Sequence, residues 1–328
     1  MPSALCCPDS LKGVLSAVEA AAALADGFRG AGVEAAELPL ADGGEGTAQA
    51  IALACGGEWR TARVADPLGR PVDARFLVDE EGRAVVEAAE AIGLGRLAAE
   101  ERDPLRASSR GLGDLVLAAV EAGAERVTVG LGGTATVDGG AGLLDVLDAL
   151  PVPVTAACDV GNPLLGPRGA ARVFGPQKGA TAAEVDELEA RLAARRDLAP
   201  FAGLPGAGAA GGLGAAFASL GAELRPGFQV VAETLDLEAA LAKAATAVTG
   251  EGAVDRSTAD GKVPAGVAAA AVRAGVRCVV FGGRVEPGAP AALYELGATA
   301  VLRLSGDPAE ARSDLVELGE ALGRLLFR

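Results

Sequence analysis

Hydrophobic and polar residues follow two different patterns along the chain, and the first pattern occupies both ends. Short apolar runs of the kind that form buried strands are each followed by a run with helical periodicity. The predicted strands lie at 3–7, 34–38, 246–249, 277–282 and 299–304, and the predicted helices at 16–29, 47–55, 264–274, 291–296 and 308–326. Strands that alternate with helices indicate a parallel sheet covered by helices.

The second pattern begins near residue 59, where strands follow one another without helices between them. Two reverse-turn sequences, Asp66-Pro67-Leu68-Gly69 and Asp79-Glu80-Glu81-Gly82, separate these strands. They are predicted at 59–64, 72–78 and 84–88; later come helices at 112–122, 140–150, 182–195 and 211–220 and strands at 126–131 and 154–157.

A chain of 328 residues exceeds the usual limit for one hydrophobic core. The change of pattern near residue 60 is therefore the best candidate for a domain boundary. We predict that 1–60 plus 235–328 share one sheet, and that 61–234 form an inserted second domain.

Composition narrows the classes of function. Half of the residues are apolar and 22% are charged, as in globular proteins. The net charge of −15 argues against nucleic acid or an anionic membrane as a partner. The chain start lacks the basic and apolar regions of a signal peptide, and apolar runs such as 20–25 are too short for a membrane span. We therefore expect the cytoplasm as the compartment.

The chain contains no histidine, and its five cysteines are scattered. This pattern argues against a zinc site and excludes Ser–His or Cys–His catalytic pairs. Any general base must then be a carboxylate, a lysine or a bound water.

Only four of the 29 basic residues are lysines, and three of them, Lys12, Lys178 and Lys262, adjoin glycine. A lysine is a compact charge on a flexible stem, which suits a phosphate oxygen, and a neighbouring glycine allows close approach. We expect these three to converge on one phosphate site, whereas Lys243 lies on an ordinary predicted helix.

Glycine-rich segments with polar or charged residues follow several predicted strands. The segments 42–47 and 132–140 each open a helix, so their backbone N–H groups face the edge of the sheet where α/β proteins bind ligands. The segment 250–255 adds two carboxylates, and 206–214 offers only backbone donors. The alternative for each single segment is a tight turn or close backbone packing.

No segment matches a Walker P-loop, and Gly206, Gly208 and Gly211 fit GxGxxG without a convincing strand before them, which disfavours dinucleotide binding. Carboxylates, lysines and glycine-rich segments together suggest phosphoryl transfer. Magnesium needs one or two carboxylates plus phosphate oxygens, and lysines neutralise the transferring group. The nucleophile would be a substrate hydroxyl whose proton an Asp accepts.

These residues resemble the bacterial glycerate kinase family, the glycerate 2-kinases of the glyoxylate and glucarate pathways. Each motif alone is weak, whereas the set occurs in family order from residue 8 to about 266 and is highly specific. The motifs are Pro8-Asp9-Ser10-Leu11-Lys12-Gly13, Leu40-Ala41-Asp42-Gly43-Gly44-Glu45-Gly46-Thr47, Gly132-Gly133-Thr134-Ala135-Thr136, Asp138-Gly139-Gly140-Ala141-Gly142, Cys158-Asp159-Val160 with Asn162-Pro163-Leu164, Phe174-Gly175-Pro176-Gln177-Lys178-Gly179-Ala180, the segment 206–214, and Thr249-Gly250-Glu251-Gly252 with Asp255 and Gly261-Lys262-Val263-Pro264.

The resemblance implies ATP-dependent phosphorylation of D-glycerate with Mg²⁺, more often to 2-phosphoglycerate than to 3-phosphoglycerate. It also implies an α/β fold of two α/β domains: a Rossmann-like parallel-sheet domain made from both chain ends and an inserted mixed-sheet domain, with the active site in the cleft. The implied partners are glycerate and ATP, with no nucleic acid and no membrane, and a homodimer stays open as the assembly.

The resemblance also implies site residues, carried over by motif position. The catalytic residues would be Asp42, Asp138, Lys178 and Lys12, with Asp42 or Asp138 as the base. Substrate and phosphate would be bound by Asp9, Ser10, Glu45, Gly132, Gly133, Thr134, Asn162, Gly208, Gly211, Gly212 and Lys262. The metal ligands would be drawn from Asp159, Glu251 and Asp255, and the substrate carboxylate could also take Arg110 or Arg284.

The chain departs from the family pattern in places that bear on the substrate. Only 143–157 remains where the family usually carries a longer stretch, Val137 stands in place of a common Asn, and Asp260 and Ser257 replace a common His and Gln. The alternatives are a catalytically inactive protein that binds a sugar acid or nucleotide, and a nicotinamide oxidoreductase. The retained charged positions favour the kinase.

Overall fold

The computed structural model describes residues 3–327, apart from the side chain of Asp260. The chain groups into two compact units. Unit 1 comprises Met1–Asp42, Gln49–Ala54 and Phe228–Arg328, and unit 2 comprises Gly43–Ala48 and Cys55–Gly227.

Strands and helices alternate over most of the described chain. The strands are β1 (Ala4–Cys6), β2 (Ala35–Glu37), β3 (Glu58–Ala65), β4 (Pro71–Val78), β5 (Arg83–Glu87), β6 (Arg126–Gly130), β7 (Val154–Cys158), β8 (Glu223–Pro226), β9 (Thr246–Val254), β10 (Arg277–Val285) and β11 (Ala300–Arg303). The helices are α1 (Ala17–Gly30), α2 (Thr47–Cys55), α3 (Ala88–Ile92), α4 (Arg110–Glu121), α5 (Ala141–Leu144), α6 (Ala170–Phe174), α7 (Ala182–Ala194), α8 (Ala209–Ser219), α9 (Gly227–Thr234), α10 (Leu237–Leu241), α11 (Val263–Ala274), α12 (Ala289–Glu295) and α13 (Ala311–Leu326). None of the described helices is long and apolar enough to cross a membrane.

Unit 1 is built on a five-stranded sheet in the order β11-β10-β9-β1-β2, and every neighbouring pair is parallel. Its core includes Leu24 and Phe28 of α1 together with Leu315 and Leu322 of α13. The prediction that both chain ends form one Rossmann-like sheet is confirmed. Because the strands are parallel, their carboxyl ends share one edge, where the loop after β1 lies.

Strand β9 is longer than predicted, and this changes the place of a candidate site residue. We expected it to end at residue 249 because Gly250 and Gly252 suggested a loop. Instead β9 stays paired with β10 as far as Val254, so Glu251 lies on the strand itself. A Cβ on Gly250 would lie 2.3 Å from the Phe281 carbonyl oxygen and 2.5 Å from the Phe281 ring, so the glycine makes room for this neighbour on β10 rather than for a turn.

Unit 2 contains a six-stranded mixed sheet in the order β3-β4-β5-β6-β7-β8. The pairs from β3 to β5 are antiparallel, and those from β5 to β8 are parallel. The predicted inserted mixed-sheet α/β domain is thus confirmed as a fold class. The patterns missed β8 and the helices α3, α6, α9 and α10, which are all short.

The predicted helix at 140–150 is wrong beyond its first turn, because α5 ends at Leu144. Leu143 and Leu147 are buried in the core of unit 2, so core packing produces the apolar spacing that suggested a longer helix. Pro151 and Pro153 then precede β7, and the residues before a proline disfavour helix.

The domain boundaries at 60/61 and 234/235 stay predictions. The compact units change at 54/55 and 227/228. The predicted break near residue 60 falls inside β3, because the exposed start of that strand gives no apolar alternation to mark it.

Candidate active site

The loop after β1 holds Asp9 at the carboxyl edge of the unit 1 sheet. The Asp9 N–H donates to the Gly250 carbonyl at 2.9 Å, which fixes the residue beside β9. The Leu40 N–H donates to the Pro8 carbonyl at 2.9 Å, so the segment leading to Asp42 runs alongside. Both carboxyl side chains are buried, with Asp9 4% exposed and Asp42 6% exposed.

Burial and the neighbouring charge of Asp42 change the protonation of Asp9. Burial raises the pKa of Asp9 to about 7, and the Asp42 charge adds to the rise. The Ser10 N–H, which donates to Asp9 Oδ1 at 2.6 Å, and the charge of Lys12 lower that pKa only in part. A carboxylate with a pKa near neutrality is suited to accept a proton.

Beside the pair, unit 1 contains a cavity of about 450 Å³, which we call the unit 1 cavity. Two of the three glycine-flanked lysines, Lys12 and Lys262, line it, and convergence of all three on one phosphate site stays a prediction. Glu251 and Asp255 line it too, and Lys262 Nζ lies 3.8 Å from Glu251 Oε2. The cavity therefore places cations and carboxylates at one edge of the sheet, as phosphate chemistry requires.

The predicted metal ligands fall into both units. Glu251 accepts a 2.6 Å hydrogen bond from the Thr258 hydroxyl, and burial raises its pKa. Hydrogen bonds from Ser257 lower the pKa of Asp255. Asp159 belongs to unit 2. The described residues contain no group of three or more His, Cys, Asp or Glu side chains that could hold a metal ion alone.

Lys178 lies in unit 2 and is 4% exposed. Its Nζ donates to Thr134 Oγ1 at 3.1 Å and to the Thr136 carbonyl at 2.8 Å. Burial lowers the pKa of Lys178 to about 7, and the charge of Asp138 opposes that change. The ammonium thus ties together the segment that follows β6, and the lysine does so without a carboxylate within ion-pair distance among the described residues.

Asp138 is the centre of a hydrogen-bond network at the start of α4. Its Oδ2 accepts bonds from the Ser109 N–H at 2.9 Å and the Ser109 hydroxyl at 2.7 Å, and from the Gly142 N–H at 3.2 Å. Its Oδ1 accepts from the Gly140 N–H at 3.0 Å. Four donors occupy most of the acceptor capacity of a carboxylate. This geometry favours a structural role over a proton-accepting one.

Replacing Asp138 by Ala is therefore expected to lower the free energy of unfolding by about 2–4 kcal/mol, because partly buried N–H groups lose a charged acceptor. Urea unfolding followed by circular dichroism measures the change. Asp145→Ala, on the turn after α5, is the matched control and should cost less than about 0.5 kcal/mol. An equal loss in the two variants would contradict the network.

Predicted phosphate-binding glycines lie in close contact with other chain segments, two of them against backbone and Gly133 against side chains. A Cβ on Gly132 would meet Gly44 Cα at 2.5 Å, and a Cβ on Gly133 would come within 3.3 Å of Glu45 Oε1. A Cβ on Gly208 would meet the Pro163 carbonyl at 2.2 Å. Close packing is thus sufficient reason for glycine at these positions, and phosphate binding there stays a prediction.

The glycine-rich segment 206–214 is compact, and its backbone is strained. Gly211 and Gly212 have φ of 73° and 99°, and Ala210 before them has φ of 53°, a region that L-residues with a Cβ rarely adopt. The Gly208 N–H donates to the Asn162 carbonyl at 2.9 Å, and the Gly212 N–H donates to the Gly208 carbonyl at 3.3 Å. Regular helix begins only after this turn.

The sequence interpretation missed Glu87, at the end of β5. Its carboxylate accepts bonds from the Gly46 N–H at 3.3 Å and the Ala48 N–H at 2.8 Å, so it caps the start of α2. Burial raises the pKa of Glu87 to about 7, and Glu90 and Glu45 contribute. The position at the carboxyl end of a parallel strand was the only indication in the sequence.

The other predicted residues lie as follows. The Asn162 side-chain amide donates to the Arg168 carbonyl at 2.7 Å. Glu45 and Arg110 are exposed, and Ser10 lines the unit 1 cavity. Arg284 lines the same cavity from the end of β10.

A parallel sheet with a buried carboxyl pair and a lysine-lined cavity at its carboxyl edge suits phosphate chemistry, and known proteins identify the class of protein. The glycerate kinase family model matches residues 4–151 and 149–326. A glycerate kinase of Bacillus subtilis is 40% identical, covering 90% of this chain and 88% of the relative. The glycerate 2-kinase of Escherichia coli is 41% identical, covering 80% of each.

A solved structure agrees with the sequence relatives. The crystal structure of a Salmonella typhimurium LT2 protein, provisionally named glycerate kinase 2, matches with a TM-score of 0.84 and 34% identity over 99% of this chain and 98% of that one. The chain belongs to the glycerate kinase family and is a kinase. The two matched ranges of the family model meet at 149–151, inside the stretch that we expected to be short.

Proposed function

We propose that this kinase transfers the terminal phosphoryl group of ATP to the 2-hydroxyl of D-glycerate. The carrying observation is the buried Asp9–Asp42 pair beside a cavity that Lys12 and Lys262 line. The Escherichia coli relative named glycerate 2-kinase supports the position of transfer. The family itself supports glycerate as the acceptor.

In this proposal the Asp9–Asp42 pair accepts the proton of the attacking hydroxyl. Phosphoryl transfer is catalysed largely by positioning and by neutralising charge, so the base needs only a matched pKa and a fixed place. Asp9 has both, because burial sets its pKa and two backbone contacts hold its loop. Asp138, the other carboxylate predicted as base, is engaged by four donors.

Lys12 and Lys262 would neutralise phosphate oxygens, and Mg²⁺ would bind through Glu251 and Asp255. These two carboxylates line the same cavity, and magnesium in kinases commonly takes one or two carboxylates with nucleotide phosphates and water. Bound Mg²⁺ supplies charge neutralisation for the phosphate chain. The absence of a larger acidic cluster among the described residues suits an ion that arrives with its nucleotide.

The remaining expectations concern place and partners. We propose a cytoplasmic enzyme whose partners are glycerate and ATP. The net charge of −15 supports small-molecule partners over nucleic acid. A homodimer stays a prediction.

Identification of the product tests the proposal. Purified protein with D-glycerate, ATP and MgCl₂ should yield ADP and 2-phosphoglycerate, which phosphorus and proton NMR distinguish from 3-phosphoglycerate. The 3-phospho product would overturn the position, and ATP turnover with no phosphoglycerate would overturn the acceptor. Ligand-induced thermal shifts without turnover would favour the inactive binding protein instead.

A further inference from the structure

Segment 43–48, which leads into α2, lies across the carboxyl edge of the unit 2 sheet. Glu87 on β5, Gly130 on β6 and Ala157 on β7 are register partners and form one row along this edge. A Cβ on Gly130 would lie 2.5 Å from the Gly43 carbonyl oxygen, and a Cβ on Gly43 would lie 3.1 Å from the Ala157 carbonyl oxygen. The segment therefore rests on backbone at two of the three strands.

At the third strand, β5, a side chain makes the contact. Glu87 Oε2 accepts from the Gly46 N–H at 3.3 Å, and Glu87 Oε1 accepts from the Ala48 N–H at 2.8 Å. Each carboxylate oxygen thus bonds to a different backbone donor at the start of α2. The glycine-rich pattern predicted these N–H groups for a ligand, yet they already bond to an anion of the protein itself. This favours an anchoring role for the contact.

Glu45 is the exposed residue of the anchored segment. The Thr47 hydroxyl donates to the Gly44 carbonyl at 2.8 Å, which closes a turn with Glu45 at its tip. Within the part of the chain that the structure describes, the Glu45 carboxylate has no hydrogen bond and no ion pair. Motif position predicts Glu45 as a substrate-binding residue. A carboxylate without an internal partner can accept hydrogen bonds from the hydroxyl groups of a substrate.

The two bonds of Glu87 require a carboxylate. A glutamine side chain of the same shape has a single acceptor oxygen, and its NH₂ group would face the second backbone N–H. One of the two bonds would then be lost, and the other would lose the strength that an ionised acceptor gives. The segment would shift at that strand, and a displacement of about 1 Å in a group that contacts the substrate can lower a rate about 10²-fold.

We infer that Glu87 is a positioning residue for phosphoryl transfer: its carboxylate holds segment 43–48 on the sheet edge so that Glu45 contacts a hydroxyl group of the acceptor. This inference rests on the proposed function, because it takes glycerate as the acceptor. Glu87 itself does not touch the substrate. Its effect on the reaction passes through the segment and reaches the acceptor at Glu45.

A double-mutant cycle tests the inference. At about pH 8, above the pKa of about 7 of Glu87, Glu87→Gln should lower kcat/KM for D-glycerate about 10–100-fold, and Glu45→Ala should do the same. The double variant should fall no more than about threefold below Glu87→Gln, because the two residues act as one unit. The matched control is Glu90→Gln, which removes a nearby carboxylate that bonds Arg75 and Arg96 and should stay within about twofold of the wild type.

Hydrogen exchange measures the anchor directly. In Glu87→Gln the amides of Gly46 and Ala48 should exchange at least about tenfold faster than in the wild type, and those of α4 at the same rate. Unchanged exchange at the two amides, or a loss in the double variant equal to the product of the single losses, would overturn the inference.

Glu45→Ala alters only an exposed side chain and should fold, so kcat/KM within about twofold of the wild type in this variant would by itself overturn the inference. Transfer to the 3-hydroxyl of glycerate, with the losses in the variants intact, would overturn the proposed function alone.

Discussion

Replacing Asp9 by Asn should lower kcat for glycerate phosphorylation by about 10²–10⁴-fold, the usual contribution of a general base. The Asp9→Asn variant should still fold. Burial raises the pKa of Asp9 from 3.8 to about 7, so the folded state binds a proton that the unfolded state has lost between these values. Ionised Asp9 therefore costs stability above pH 7, and the neutral amide removes that cost. The variant should combine this lower kcat with a stability at least equal to that of the wild type.

The pH dependence of kcat/KM distinguishes a general base from a residue that only binds the substrate. In the wild type, kcat/KM should rise with pH through about 7, because Asp9 must lose its own proton before it can accept one from the substrate. Asp42→Asn removes a neighbouring charge that raises the pKa of Asp9, so the acid limb of the profile should move to lower pH. Steady-state assays across the pH range measure both effects. An acid limb at the same pH in Asp42→Asn as in the wild type would show that the Asp42 charge does not raise the pKa of the general base.

Replacing Lys178 by Met should abolish the part of the pH dependence of the free energy of unfolding that the lysine causes. The folded lysine has a pKa of about 7 against 10.5 in the unfolded chain. Between these values the unfolded chain carries the extra proton, so stability rises with pH. The rise due to this group is on the order of 4 kcal/mol, and Lys178→Met should lack it and be the more stable protein near pH 7.

Urea unfolding at several pH values gives the measurement, taken as the difference between the two proteins. Buried cysteines with raised pKa also affect stability above about pH 9, but they are common to both proteins and cancel. Lys243→Met, on an exposed surface, is the control and should show no such difference. Because the family resemblance predicts Lys178 as a catalytic residue, kcat should also fall by at least about 10²-fold. If the free energies of unfolding of the wild type and Lys178→Met changed in parallel with pH, the lowered pKa of the buried Lys178 would be excluded.

The hydrophobic pattern of the sequence predicted the strands and helices of unit 1 well, because residues close in sequence determine where each of them begins. Helix α1 begins at a capping box of Ser16 and Glu19, which appears in the sequence as directly as in the structure. Where the prediction failed, long-range contacts decided. The sequence predicts that the strand ends before Gly250, yet β9 stays paired with β10 beyond it, and the close approach of the Phe281 carbonyl and ring explains the glycine.

In the candidate site too, the sequence identified residues but did not reveal their long-range contacts. Sequence motifs named Asp9, Asp42 and the lysines, because charged residues beside glycine stand out in this composition. They did not show which carboxylates would be partnered. Asp138 is held by Ser109, and Glu87 caps a helix that begins at residue 47. Such pairings join residues 29 to 41 positions apart, and no local spacing records them.

Asp9, Glu87 and Lys178, three groups enclosed by the fold, each have a pKa of about 7, and the chain has no histidine. Unfolded, such a chain has little buffering capacity near neutrality beyond its α-amino group and cysteines. Folding alone supplies this capacity. A proton count in weakly buffered solution at about pH 7 therefore reports on these three interior positions with little background from the surface, and binding of a charged substrate near any of them would register as proton uptake or release.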